Sequence, residues 1–160
     1  MMFWFRRTLI LIVSFLLYSS ACALDVVYGP FFKICGVKAQ QGRLTLPLTR
    51  KQYANVRILD QETYRWLLTC QTATCSQPNA QGKTEVSSLR AAQTRPGMWI
   101  ADVSVDERWL LTLLIFATPT GYNVVVPDVT LITQSAWRKQ VEKQVVEAVI
   151  RFREDGKDAM

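Results

Sequence analysis

Apolar and polar residues alternate along most of this chain with a period of two, and near its end the spacing lengthens to three and four. The most apolar internal stretch is Trp109–Ala117, WLLTLLIFA, in which Thr112 is the single polar residue. Trp109, Leu111, Leu113 and Ile115 lie on one parity, and Leu110, Leu114 and Phe116 on the other. A strand reads this way when both of its faces are covered. Extended, such a run spans roughly 30 Å, the width of a small domain, whereas as a helix it would cover only about 14 Å, too short for a bilayer. It is expected to be the central strand of the core.

Strand-like segments flank it. Leu24–Tyr28 alternates and stops at Gly29-Pro30, and Phe31, Phe32, Ile34 and Val37 form a short apolar patch interrupted by Gly36. Arg43–Leu48 places Leu44, Leu46 and Leu48 on one face, and Pro47 assigns it to a sheet edge because proline donates nothing to a ladder. Tyr53–Leu59 alternates, Asp60-Gln61-Glu62 reads as a turn, and Thr63–Cys70 puts Tyr64, Trp66, Leu68 and Cys70 on one side, suggesting a hairpin. Residues 71–83 read as a polar loop and Thr84–Gln93 as a weak strand. Met98–Val105, Tyr122–Val126 and Val129–Thr133 complete the set. Short links between consecutive strands imply an antiparallel meander.

From Gln134 to Arg153 the apolar residues fall at Trp137, Val141, Val145, Ala148, Val149 and Phe152, with Val146 and Ile150 widening the stripe. Steps of three and four make an amphipathic helix over residues 134–154. Thr133 or Ser135 is expected to cap its start and Gly156 to end it, with Glu147 and Arg151 spaced as a favourable pair. Its polar side mixes both signs of charge, which argues against a membrane-surface helix. The predicted fold is mainly β with a C-terminal α-helix (α+β): an antiparallel β-sandwich or barrel closed by that one helix.

The first residues stand apart. Arg6 and Arg7 precede an apolar run from Leu9 to Leu17, and small residues end in Ala21-Cys22-Ala23. This is the layout of a secretory signal peptide over residues 1–23, leaving a single domain of residues 24–160. Ser19-Ser20-Ala21-Cys22 also resembles a bacterial lipoprotein box, although Ser19 stands where that box carries an aliphatic residue. By that resemblance the signal would end before Cys22 and leave it as the lipid-bearing residue. Either route predicts an exported protein, in the periplasm, the outer envelope or the extracellular space. Membrane contact is then expected only through a lipid anchor or an uncleaved signal.

The formal charge of +6 falls to +4 without Arg6 and Arg7, and no run of five like charges occurs. Nucleic-acid binding calls for a denser basic stripe and is not expected. Export allows disulfides. Cys70–Cys75 would close a short ring worth roughly 2 kcal/mol, and a bridge from Cys35 to either would be worth about 4. Proximity in sequence selects Cys70–Cys75, leaving Cys35 as a buried thiol.

The chain contains no histidine, so Ser–His and Cys–His nucleophilic sites and histidine-ligated metals are ruled out. It has no G-x-S-x-G, Walker loop or G-x-G-x-x-G, and no cofactor or metal site is expected. Paired carboxylates remain, Asp60 with Glu62 and Asp106 with Glu107. Both pairs fall in tight turns where acids are ordinarily solvated and unshifted. Trp66, Trp99 and Trp109 are the candidates for lining an apolar ligand cavity; as core residues they would simply fill the interior. The order of elements and Gly97-Met98-Trp99 resemble lipocalin-like barrels, whose G-x-W signature lies on the first strand rather than past the middle of the chain. That resemblance implies a carrier of small apolar ligands. The leading expectation is a non-enzymatic envelope or secreted protein that binds a protein or envelope partner. The carrier is second and a hydrolase using paired carboxylates a distant third.

Overall fold

The computed structural model describes residues 23–49, 54–77 and 79–156. Residues 1–22 of the expected signal segment, Cys22 among them, and Tyr53 lie outside them. In chain order the elements are β1 (Ala23–Tyr28), β2 (Phe32–Gln40), β3 (Arg43–Thr45), β4 (Asn55–Ile58), α1 (Gln61–Thr69), β5 (Thr74–Gln77), β6 (Thr84–Ala91), β7 (Met98–Val105), β8 (Trp109–Thr118), β9 (Gly121–Val125), β10 (Thr130–Ile132) and α2 (Ser135–Glu154). Two five-stranded sheets pack face to face. One runs β10-β2-β1-β5 with β3 also on β2, and the other runs β4-β8-β7-β6 with β9 also on β8. Because the strands form two separate sheets with free ends, this is a sandwich and not a closed barrel, which corrects the barrel alternative and removes the architecture that the Gly97-Met98-Trp99 resemblance implied.

β8 lies inside its sheet. It pairs antiparallel with β7 from Trp109↔Val105 to Phe116↔Met98, and its other side is shared by β4 and β9. Trp109, Leu111, Leu113 and Ile115 are buried against the opposite sheet. On the outer face Leu114 joins Ala54, Met98 and Ile100 in a second, smaller apolar cluster, and Thr112 is buried as well. Burial on both sides explains why both parities of this strand are apolar apart from Thr112.

The main core joins both sheets and α2. Tyr28 and Phe32 stack with ring centroids 5.0 Å apart, and Trp109 meets both edge-on at 6.4 and 6.2 Å. Trp137 of α2 stacks on Phe32 at 5.7 Å. Along α2, Trp137, Val141, Val145 and Val149 form the buried stripe, while Ile150 at its margin stays exposed. Each buried valine contributes about 1.5–3 kcal/mol relative to an exposed one. Gln134 occupies the N-cap without a side-chain bond, because the Thr133 hydroxyl donates to the Pro30 carbonyl instead. The helix ends as expected: the Gly156 N–H donates to Arg153 with φ +69°, a conformation glycine adopts freely.

Four elements differ from the sequence expectation. Residues 61–69 form helix α1, not a hairpin strand. Asp60 caps it by accepting from the Thr63 N–H at 2.7 Å, and Thr63 and Leu67, one turn apart, are its buried residues. The polar loop contains β5, which lies parallel to β1, so the sandwich is not wholly a meander. The patch around Gly36 is the continuous strand β2. The edge segment at Arg43–Leu48 pairs only as far as Thr45, and Leu48 is exposed.

Candidate functional site

Polar chemistry concentrates at the β7–β8 turn. The Arg108 N–H donates to the Val105 carbonyl at 3.0 Å, and Asp106 and Glu107 have φ of +51° and +58°. This is a two-residue hairpin turn with both central residues left-handed, whose twist suits the flanking strands. Asparagine and glycine usually occupy it, and here Asp106 offsets the strain through its carboxylate. That group accepts from the backbone N–H of Gln81, Gly82 and Lys83 at 2.8, 2.9 and 2.7 Å and from the Tyr28 hydroxyl. Burial opposes ionisation of Asp106, and these four donors outweigh it, holding its pKa below the usual carboxylate value. Burial, then Asp106, raises the Tyr28 phenol pKa.

Below this pole a chain of buried polar groups crosses the core. The Trp109 indole N–H donates to Gln77 Oε1 at 3.0 Å, and Gln77 Nε2 donates to the Thr63 hydroxyl at 2.9 Å. On the outer face of the second sheet, burial again opposes ionisation of Asp102. Hydrogen bonds from Thr112 (2.6 Å), Ser88 (2.8 Å) and Arg90 (3.3 Å) prevail and lower its pKa.

The carboxylates proposed from the sequence do not act in their sequence pairs. Asp60 caps α1 while Glu62 is exposed, and Asp106 sits in its ring of donors while Glu107 is exposed. The expectation that turn acids are solvated and unshifted is overturned at Asp106: the loop of residues 79–83 folds over the turn and supplies donors from another part of the chain. The three tryptophans are spread apart. Trp109 and Trp99 lie on the inner face near opposite ends of the β7–β8 ladder, since Trp99 opposes Ile115, roughly 20 Å along the strand from Trp109. Trp99 meets Tyr122 edge-on at 5.8 Å, with the Arg153 guanidinium 5.8 Å from its ring centroid. Trp66 is half-buried on α1.

The expected disulfide is present. Cys70, just after α1, bridges to Cys75 in β5 with Cα atoms 6.2 Å apart, and Cys75 is buried. Cys35 is free but exposed, not buried, because β2 turns its side chain outward there. Among the described residues no group of three His, Cys, Asp or Glu could hold a metal ion, and no helix is long and apolar enough to cross a membrane.

One concavity was not anticipated from the sequence. An open groove of about 640 Å³ runs along residues 84–89 of β6, with Gln144, Glu147, Ala148, Arg151 and Phe152 of α2 as its other wall. Among the described residues β6 pairs with β7 only. Its second side carries no strand among the described residues, and α2 packs alongside it with the open groove between them. One bond, from the Thr84 hydroxyl to Gln144 at 2.6 Å, links strand and helix at the groove. Beyond Thr84 and Glu85 a smaller hollow of about 220 Å³ continues toward Lys83, Ser104, Asp106 and Arg108. The sequence signal was the modest one of a polar strand, TEVSSLRA, following a loop. Compared with models of protein families, with curated proteins and with solved structures, the chain matches none.

Proposed function

We propose that this protein is an exported, non-enzymatic interaction module that takes an extended segment of a protein partner along the free edge of β6. The observation that carries the reading is the groove between β6 and α2. An uncovered edge presents a row of backbone donors and acceptors, and adding a strand to it is a general mode of peptide recognition. Backbone pairing supplies affinity there, and the side chains of Val86, Leu89 and Glu85 on the β6 wall and of Phe152 and Arg151 on the α2 wall supply selectivity. The aromatic side chains of the interior are engaged with one another, which favours a contact made at the surface. A disulfide at Cys70–Cys75 accords with an oxidising compartment outside the cytoplasm.

The test is photo-crosslinking in the native host, with a photoreactive residue placed at Ser87, at Ser88 or, as control, at Thr120 on the β8–β9 turn. Covalent adducts are expected from the two β6 positions and not from Thr120. Absence of any adduct at Ser87 and Ser88 overturns the proposal, and the mass of an adduct identifies what occupies the edge.

A further inference from the structure

The edge strand is complementary to itself. β6 pairs with β7 through Glu85↔Ser104, Val86↔Val103, Ser88↔Asp102, Leu89↔Ala101 and Arg90↔Ile100, with an irregularity between Val86 and Ser88. One residue, Ser87, is inserted there as a bulge. Val86, Leu89 and Ala91 pack against the main core, so Glu85, Ser88 and Arg90 face outward on the other side of the sheet. In an unbulged strand, residues five apart such as Glu85 and Arg90 would lie on opposite faces. The bulge puts them on the same one.

That parity decides what can lie beside β6. When two copies of a strand pair antiparallel about a twofold axis, opposed side chains must share a face. Placing the axis between Ser87 and Ser88 satisfies the condition at the three pairs whose faces the register to β7 fixes. Glu85 of each copy then opposes Arg90 of the other, Val86 opposes Leu89 on the core side, Thr84 opposes Ala91, and the serines meet at the centre. Each charged residue meets its opposite and Val86 meets Leu89, the self-complementarity an isologous interface requires. The Arg90 guanidinium lies 3.3 Å from Asp102 within its own chain and is half exposed, so it has donors left for an incoming Glu85. An open groove runs along residues 84–89 at this edge.

Resting on the reading of β6 as a recognition edge, we infer that its occupant is a second copy of this chain, joined β6 to β6 in antiparallel register to make one continuous sheet of ten strands. The interface is one strand wide and belongs to the small class typical of transient contacts, so a reversible monomer–dimer equilibrium is expected.

The experiment is sedimentation equilibrium on the whole purified protein carrying Cys35→Ser, which removes adventitious thiol-linked dimers. A monomer–dimer equilibrium is expected, weakened at least about tenfold by Glu85→Lys, which sets like charges opposite each other in both halves of the interface. Adding Arg90→Glu to that variant restores opposite charges and returns the affinity to within about threefold of the parent. Arg90→Glu also loses the bond to Asp102, so thermal unfolding of each variant verifies that the monomer stays folded. If the double variant has lost its fold, Glu85→Lys alone against the parent decides. A parent that stays monomeric at about 0.5 mM, where a micromolar dissociation constant would give mostly dimer, overturns the inference. So does a dimer indifferent to Glu85→Lys, or a folded double variant that does not recover. In those cases in-cell adducts to a different protein at Ser87 would leave the recognition edge standing while the self-pairing falls. With no adducts at all, both fall.

Discussion

At Asp106 one carboxylate collects three backbone N–H groups and a phenol, and the sequence shows only an acid in a turn. The donors come from residues 81–83 and from Tyr28, far away along the chain, so local pattern has no access to them. Charge-assisted hydrogen bonds are worth more than neutral ones, and partial exposure discounts them. Asp106→Asn, which presents an N–H₂ to groups that are themselves donors, is expected to cost about 1–3 kcal/mol in urea unfolding at neutral pH. A carboxylate with a lowered folded pKa adds stability that is present above its unfolded value of about 3.9 and lost as pH falls through the folded value. The gap between parent and variant should therefore narrow below about pH 4. A gap of constant size down to that acidity would show that the charge of Asp106 is not what matters. Gln77 is the same lesson in a neutral group. Its polar side chain is part of what makes residues 71–83 read as loop, yet its amide is matched on both ends by Trp109 and Thr63.

At the scale of elements, the apolar runs of β7 and β8 and the spacing of α2 were legible because burial on one or both faces writes itself directly into hydrophobic period. α1 was not. Tyr64, Trp66, Leu68 and Cys70 alternate, but the residues it buries are Thr63 and Leu67, so a threonine on the inner face hid the helical spacing. The usable signal was Asp60 as N-cap followed by Glu62 in the first turn. β5 escaped for a related reason, its buried side being Cys75 and Gln77 rather than large apolar residues. The disulfide fastens these two unobvious elements together. Replacing Cys70 and Cys75 both by serine is expected to lower stability by about 2 kcal/mol, as closure of so short a ring implies. A calorimetric melt compares the two proteins, and an unchanged midpoint would mean that α1 and β5 need no covalent link. The groove was invisible at this scale, because it arises from where α2 lies beside β6 and not from either segment alone.

For the whole molecule, the division into a β-rich body and a closing helix was readable, and the choice between sandwich and barrel was not, since closure depends on which strands find each other across long intervals. Stability should be distributed as the sheets are layered. Backbone amides of β7 and of the central part of β8 are expected to exchange with deuterium only on global unfolding, and those of the short outer strands β3 and β10 much sooner. Uniform exchange across all strands would contradict this layering. The irregular loop of residues 79–83 gives the molecule a further property. Its N–H groups grip Asp106, which grips Tyr28 of the first sheet, and its Gly82 carbonyl accepts the Trp137 indole N–H of α2 at 2.8 Å. A side chain at Gly82 would collide with the Phe31 ring at 2.5 Å. Five unglamorous residues thus act as a keystone between three masonry faces. Neither sheet nor helix can swing away by itself, and a fault in that loop is felt as collapse of the arch rather than as fraying of one course.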